Sequence, residues 1–267
     1  MTARLSVVES LQTVETVPLL DVRGLSVSFG GIKAVADVSF SAAAGAITGL
    51  IGPNGAGKST TLGVVAGAIK ATQGTVEFAG TDVSKLPSYR RARLGMVRTF
   101  QMHGEFGKLT VLENLLVAAP GQRGDQVRHV FSFRRSWRKQ ERALVGDARE
   151  LLDRFGLASH EDAYASELSG GQRRLMELAR ALMASPRLLL LDEPMAGVNP
   201  AMRERLGEHL IEVAAGGIGV VLVEHELRFV EQVCGNVYVL AQGSVIGEGD
   251  MSALREHAAV LEAYLAG

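Results

Sequence analysis

Ala46-Ile47-Thr48-Gly49-Leu50-Ile51-Gly52-Pro53-Asn54-Gly55-Ala56-Gly57-Lys58-Ser59-Thr60 decides the fold. A short apolar run ends at a glycine loop, and the loop opens into a predicted helix from Lys58 to about Ala68. Gly52 to Ser59 matches G-x-x-x-x-G-K-[ST], with Pro53, Asn54, Gly55 and Ala56 as the variable positions before Gly57. Glycines let successive backbone N–H groups turn inward around phosphate oxygens. The positive end of the helix dipole points to the same place. Lys58 then reaches the β- and γ-phosphates, Ser59 offers an oxygen to Mg²⁺, and Thr60 follows in the first turn. Taken alone, the loop fits kinases, GTPases and many ATPases equally well.

Further along, Leu188-Leu189-Leu190-Leu191 reads as a buried strand that ends in Asp192-Glu193. A carboxylate at the C-terminal end of such a strand is the expected second partner of Mg²⁺, directly or through water. Glu193 points to the other side of the strand end and is a candidate general base for the attacking water. A solvated turn before Pro194 is the plain alternative for Glu193 taken alone. Leu168-Ser169-Gly170-Gly171-Gln172 precedes a helix with Leu175, Leu178, Ala179 and Leu182 on one face. Ser169 is a helix N-cap on one reading. On the other it opens a second anion site, built from N–H groups, a hydroxyl and a helix dipole. One small domain has no use for two such sites on one nucleotide unless they are adjacent. The remaining option is that the second caps a nucleotide held by a partner chain.

Outward from these motifs the chain reads as α/β. Leu19 to Phe29 and Ala34 to Phe40 form a hairpin across Gly30-Gly31, and Thr75 to Phe78 and Leu94 to Thr99 are further strands. From Thr110 the pattern turns helical, with Val111, Leu112, Leu115 and Leu116 on one face and Leu144, Ala148, Leu151, Leu152 and Phe155 at helical spacing. This block is expected to be a helical subdomain, about 102–167, inserted into the α/β core. A helix from Pro200, strands Val220 to Val223 and Asn236 to Leu240, and a hairpin at Gln242-Gly243 complete the pattern. Apolar strands without alternation predict a parallel sheet covered on both faces.

The bulk numbers set bounds. A chain of 267 residues with 47% hydrophobic content suits one large domain with an insertion. Lys plus Arg total 28 against 29 Asp plus Glu, for a net charge of -1. The missing basic excess argues against a nucleic-acid partner. One cysteine, Cys234, excludes a disulfide within the chain and fits a reducing compartment. No apolar run approaches the about 18–20 residues that span a bilayer. Residues 1–17 have neither a basic start nor a continuous apolar segment, so they are expected to be a loosely held tail rather than a signal peptide. If the protein moves something across a membrane, the pore belongs to another chain.

The order phosphate loop, Gln101, Leu168 to Gln172, Asp192-Glu193, His225 resembles that of the ATP-binding-cassette (ABC) ATPases, and the match runs from Pro18 to Gly267. The resemblance implies a P-loop NTPase (RecA-like) core, an antiparallel β subdomain and the inserted helical subdomain. It implies ATP and Mg²⁺ as ligands. It casts Phe29 as the aromatic that stacks on adenine and Gln101 as a contact to Mg²⁺ and the water. His225 takes the place of the switch histidine near the γ-phosphate, and Ser169 and Gly171, with Gln172 beside them, that of contacts to the partner's nucleotide. Family members commonly have Asp where this chain has Asn199, so a charge-dependent contact at the dimer seam is in doubt.

Val97-Arg98-Thr99-Phe100-Gln101, Asn199-Pro200 and Glu224-His225-Glu226-Leu227 together resemble the ATPases of branched-chain amino acid importers. In those, two ATPases, identical or paralogous, sit at the cytoplasmic face of the membrane under polytopic permease subunits, and a separate binding protein delivers substrate. A surface around residues 102–108 would pass motion to the permease. Urea or amide import, lipopolysaccharide export and a soluble non-transport cassette are the alternatives. The basic stretch Arg134-Arg135, Arg138-Lys139 and Arg142, with Phe131, Phe133 and Trp137, is either a solvated extension or a contact to membrane subunits or headgroups.

Overall fold

A computed structural model describes residues 18–99, 106–121 and 134–265, with side chains from 139 to 264 in the last segment. Two sheets carry the fold. The smaller has the order β2-β1-β4-β5 and is antiparallel throughout: β1 (Leu20–Phe29), β2 (Ile32–Ala42), β4 (Gln73–Phe78) and β5 (Thr81–Asp82). The larger has the order β10-β9-β3-β8-β7-β6. Its strands are β3 (Ile47–Ile51), β6 (Met96–Arg98), β7 (Leu188–Asp192), β8 (Gly219–Val223), β9 (Asn236–Ala241) and β10 (Ser244–Gly249). Five of these run parallel, and β10 closes the edge antiparallel to β9.

β3, β7 and β8 are buried at every position, which is why they read as apolar runs rather than as alternation. Their side chains still alternate in space. Leu189, Leu191, Val220 and Leu222 point into one core. Leu188, Leu190, Val221 and Val223 point into another. The first core is helical. It packs α3 (Val111–Val117), α4 (Arg134–Arg154) and α5 (Gly170–Met183) with α6 (Pro200–Ala215). The second joins the antiparallel sheet to α1 (Lys58–Val65), which carries Leu62, Val64 and Val65 into it. A third, smaller core packs α7 (Leu227–Val233), α8 (Met251–Glu256) and α9 (Ala258–Leu265) against Ile51, Val237 and Val239.

Two buried polar side chains hold loops that frame the site. Arg91, on α2 (Ser88–Arg93), is 2% exposed. Its guanidinium donates to the carbonyls of Val64 (2.8 Å) and Val65 (2.7 Å) at the end of α1, and to those of Ser84 and Leu86 (both 2.9 Å). The carbonyls left over at a helix C-terminus are thus satisfied by a cation, the sign the helix dipole favours there. Asn114 on α3 is fully buried and accepts from Phe106 N while donating to the carbonyls of Phe106, Leu109 and Thr110. It fixes the chain just after residue 105. Thr110 and Glu113 start α3 with reciprocal side-chain-to-backbone bonds, a capping box.

Candidate nucleotide site

The C-terminal ends of β3, β6, β7 and β8 lie side by side, because parallel pairing sets Leu50 against Val223, Asp192 against Val223 and Arg98 against Leu190. Ligands of open α/β sheets collect at that edge. The loop after β3 turns there through Gly52 (φ 146°), Gly55 and Gly57 (φ 96°), and Gly57 caps α1. No side chain caps this helix and no acidic residue lies in its first turn. A Cβ at Gly52 would sit 2.0 Å from the Leu240 carbonyl oxygen, and one at Gly57 would sit 2.6 Å from that of Ala34. The loop is therefore pressed between β9 and β2. Gly243 N, in the β9–β10 turn, holds the Ala56 carbonyl at 3.1 Å.

Lys58 is 5% exposed, and its Nζ donates to the carbonyls of Gly52 (2.7 Å) and Pro53 (2.9 Å) inside its own loop. Burial lowers its pKa, opposed by the nearby charges of Glu193 and Asp192. Ser59 Oγ donates to Asp192 Oδ1 at 3.0 Å, so the sequence-predicted magnesium partners meet. The other carboxylate oxygen of Asp192 accepts from Arg98 Nη2 at 2.9 Å, and the Asp192 side chain is 0% exposed. The sequence reading gave Arg98 no place in the site. The signal was its position on the strand that leads to Gln101, next to β7. Gln101 itself lies outside the described residues.

Glu193 is half-buried with φ 50°, a left-handed conformation that carries a backbone cost for a non-glycine residue. Its N–H donates to the Val223 carbonyl at 2.9 Å, which ties the end of β7 to the end of β8. One residue beyond β8 is Glu224, 1% exposed, and next to it His225, whose side chain is 60% exposed. Glu224 Oε1 accepts from Met195 N at 2.9 Å and Oε2 from His225 N at 3.3 Å. Burial pushes its carboxyl pKa up, and Glu193 adds to the rise, while the two amides and His225 oppose it. Phe29 ends β1 with 53% of its surface exposed, open to a planar ligand.

The other predicted anion site begins α5. Ser169 Oγ accepts from Gln172 N (3.3 Å) and Ser169 N donates to Gln172 Oε1 (2.9 Å), a complete capping box. Gln172 is also 3.1 Å from His160 Nε2, so its side chain is engaged within its own subdomain. Gly171 packs on Met202 of α6. This end of α5 stands over the helical core, whereas Lys58 stands over the core beneath the antiparallel sheet. The N-cap reading of Ser169 holds, and the capping bond leaves Ser169 and Gly170 exposed at the start of the helix. Asn199 caps α6 by accepting from Met202 N at 3.0 Å, with Pro200 in the first turn. It makes the cap without a charge.

For a metal, Ser59 and Asp192 offer hard oxygen donors beside the phosphate loop, which suits Mg²⁺ held jointly by a protein and its nucleotide. Among the described residues no group of three or more His, Cys, Asp or Glu side chains is placed to hold a metal alone. None of the described helices is long and apolar enough to cross a membrane.

This geometry defines a nucleotide-binding P-loop domain. The sequence matches the family described as ABC transporter over residues 35–196. It is 41% identical over 247 residues to the probable branched-chain amino acid transport ATP-binding protein LivG of Archaeoglobus fulgidus, covering 92% of this chain and 95% of that one. It is 36% identical over 249 residues to the high-affinity branched-chain amino acid transport ATP-binding protein LivG of Escherichia coli, covering 93% and 98%. The fold superimposes on a solved ATP-binding cassette of an ABC transporter in its ADP conformation with a TM-score of 0.82, at 33% identity and over 94% of this chain and 100% of that one. The chain belongs to the ABC transporter family as its ATP-binding, ATPase subunit.

Proposed function

We propose that this ATPase powers import of branched-chain amino acids, seated at the cytoplasmic face of the membrane beneath separate permease subunits. The relatives' names support the cargo. The observation that carries the chemistry is the contact of Ser59 with Asp192 beside a phosphate loop, with Glu193 the next residue. In this reading residues 18–267 are the cassette, and the block at about 102–167 is its inserted helical subdomain. Phe29 stacks on adenine. The N–H groups of residues 52–60 and the Lys58 ammonium bind the phosphates, Lys58 exchanging two loop carbonyls for phosphate oxygens. Ser59, Asp192 and Gln101 hold Mg²⁺, which neutralises phosphate charge when bound.

Glu193 accepts a proton from the attacking water, and His225 orients the γ-phosphate. Ser169, Gly171 and the start of α5 close on the nucleotide of a second cassette, a copy or a paralogue. The helical subdomain, through the surface that includes residues 106–108, hands the motion to the permease, which a separate binding protein loads.

The test is a pull-down of tagged Glu193→Gln from gently solubilised membranes with ATP and Mg²⁺. The variant is expected to bind ATP, to turn over about 10²–10⁴-fold more slowly, and to bring down polytopic membrane subunits. Wild-type-like turnover overturns the role of Glu193. Recovery of only soluble proteins or nucleic acid overturns the transport reading, and a permease specific for another solute overturns the cargo.

A further inference from the structure

The residues on either side of His225 are each tied to the segment that follows Glu193. On one side, the buried Glu224 carboxylate spans Met195 N and His225 N with its two oxygens. On the other, Arg203 in the first turn of α6 donates from Nε to the Val198 carbonyl at 2.9 Å and pairs through Nη1 with Glu226. Residues 195 and 198 are thus bridged to residues 224 and 226. The backbone adds a third tie, from Glu193 N to Val223 O.

Each side chain suits its bridge better than its near relatives would. A carboxylate is acceptor on both oxygens, so it can face two N–H donors; an amide would turn one NH₂ towards a donor. A guanidinium is a rigid planar fork that reaches two acceptors at once, whereas an ammonium on a flexible stem is a point charge. Burying Glu224 for packing alone would be costly, because an ionised or even a neutral carboxyl needs partners there.

We infer that Glu224 and Arg203 are positioning residues that make the segment at 195–198 and His225 move as one body, so that a partner cassette pressing on that segment resets the histidine. The inference rests on the proposed seating of His225 at the γ-phosphate, and on Asn199, which the family resemblance sets at the dimer seam, coming directly after the bridged segment. It adds to that reading the route by which one site senses the closing of the other. The same two bridges would otherwise serve only to hold the fold, and the two roles separate in a double-mutant cycle.

The experiment measures steady-state ATP hydrolysis by the full-length chain as wild type, Glu224→Gln and Arg203→Lys, each with and without His225→Ala. Amide hydrogen exchange at residues 195 and 225 is followed in parallel. Glu224→Gln is expected to lower kcat about tenfold with the KM for ATP within about twofold. On the His225→Ala background the same change alters kcat less than about twofold, because residues acting as a unit are non-additive. Exchange at Met195 and His225 accelerates together. Arg203→Lys keeps its charge at a side chain one-third exposed and shifts kcat and exchange in the same direction by less.

Equal losses on both backgrounds, a raised KM at unchanged kcat, or faster exchange at only one of the two amides would overturn the inference. If His225→Ala turns over like wild type, the seating of the histidine is what has failed. The exchange data then still decide whether the two segments are one body.

Discussion

Arg91→Met should loosen the nucleotide helix from its far end. The guanidinium makes four hydrogen bonds of 2.7–2.9 Å to main-chain carbonyls and is 2% exposed. Methionine fills a similar stem volume and donates nothing. Val64 O keeps a bond from Gly67 N at 2.9 Å, but the carbonyls of Val65, Ser84 and Leu86 lose this donor. An unsatisfied buried acceptor costs about 1–3 kcal/mol, and carbonyls near a rim recover part of that from water, so we expect a loss of about 3–5 kcal/mol. The cost of burying the arginine charge, visible in its lowered pKa, is relieved by the change and sets the total towards the low end. Because the lost bonds anchor the last turn of α1, ATP affinity should fall as well.

Urea unfolding with an unchanged m-value gives the stability, and equilibrium nucleotide binding gives the affinity. Arg91→Lys, which restores one donor group, should fall between wild type and Arg91→Met. A loss below about 1 kcal/mol for Arg91→Met would refute the reasoning, since the carbonyls would then be satisfied without the arginine.

Gly52→Ala sets a Cβ 2.0 Å from the Leu240 carbonyl oxygen at φ 146°, so either β9 or the phosphate loop must shift; a drop in melting temperature and at least about tenfold weaker ATP binding are expected. Wild-type affinity in that variant would mean that the loop does not need its contact with β9. Glu224 gives a pH signature. Burial raises its carboxyl above the ordinary 4.5, so the native state holds more protons than the unfolded one from about that pH upward. Its contribution to stability is complete below pH 4.5 and is lost as pH rises through the folded value. The unfolding free energy of wild type minus that of Glu224→Gln should therefore decline with rising pH, and a gap that widens would contradict it.

What the sequence shows depends on how local the physics is. β3, β7 and β8 announce themselves as apolar runs because both faces of each are covered, and the Ser169–Gln172 and Asn199-Pro200 caps follow from spacing alone. Two-residue β5 carries no period to detect, and six-residue α2 hardly more. Among Arg90, Arg91 and Arg93, only the tertiary fold selects the one that turns inward to the end of α1. Arg98 and Glu224 were missed for a related reason. Glu224 is next to His225 and Arg98 is three residues before Gln101, and the partner of each lies far along the chain: Met195 for Glu224, Asp192 for Arg98. The helices after β10 have an N-cap at Asp250, but their apolar positions make sense only against Ile51, Val237 and Val239.

The central sheet is one residue thick, yet neighbouring leucines of β7 answer to different compartments. Leu188 and Leu190 belong with the nucleotide helix, and Leu189 and Leu191 with the helices that bear Ser169. The sheet therefore acts as a bulkhead: the two sides share a backbone but hardly any side-chain contacts. A substitution that opens a hole at Leu190 is repairable only from the nucleotide side, and one at Leu189 only from the helical side. Compensating changes should accordingly segregate by the parity of the residue. A lineage could then retune the surface it shows to a membrane partner without disturbing the packing beneath its phosphate loop.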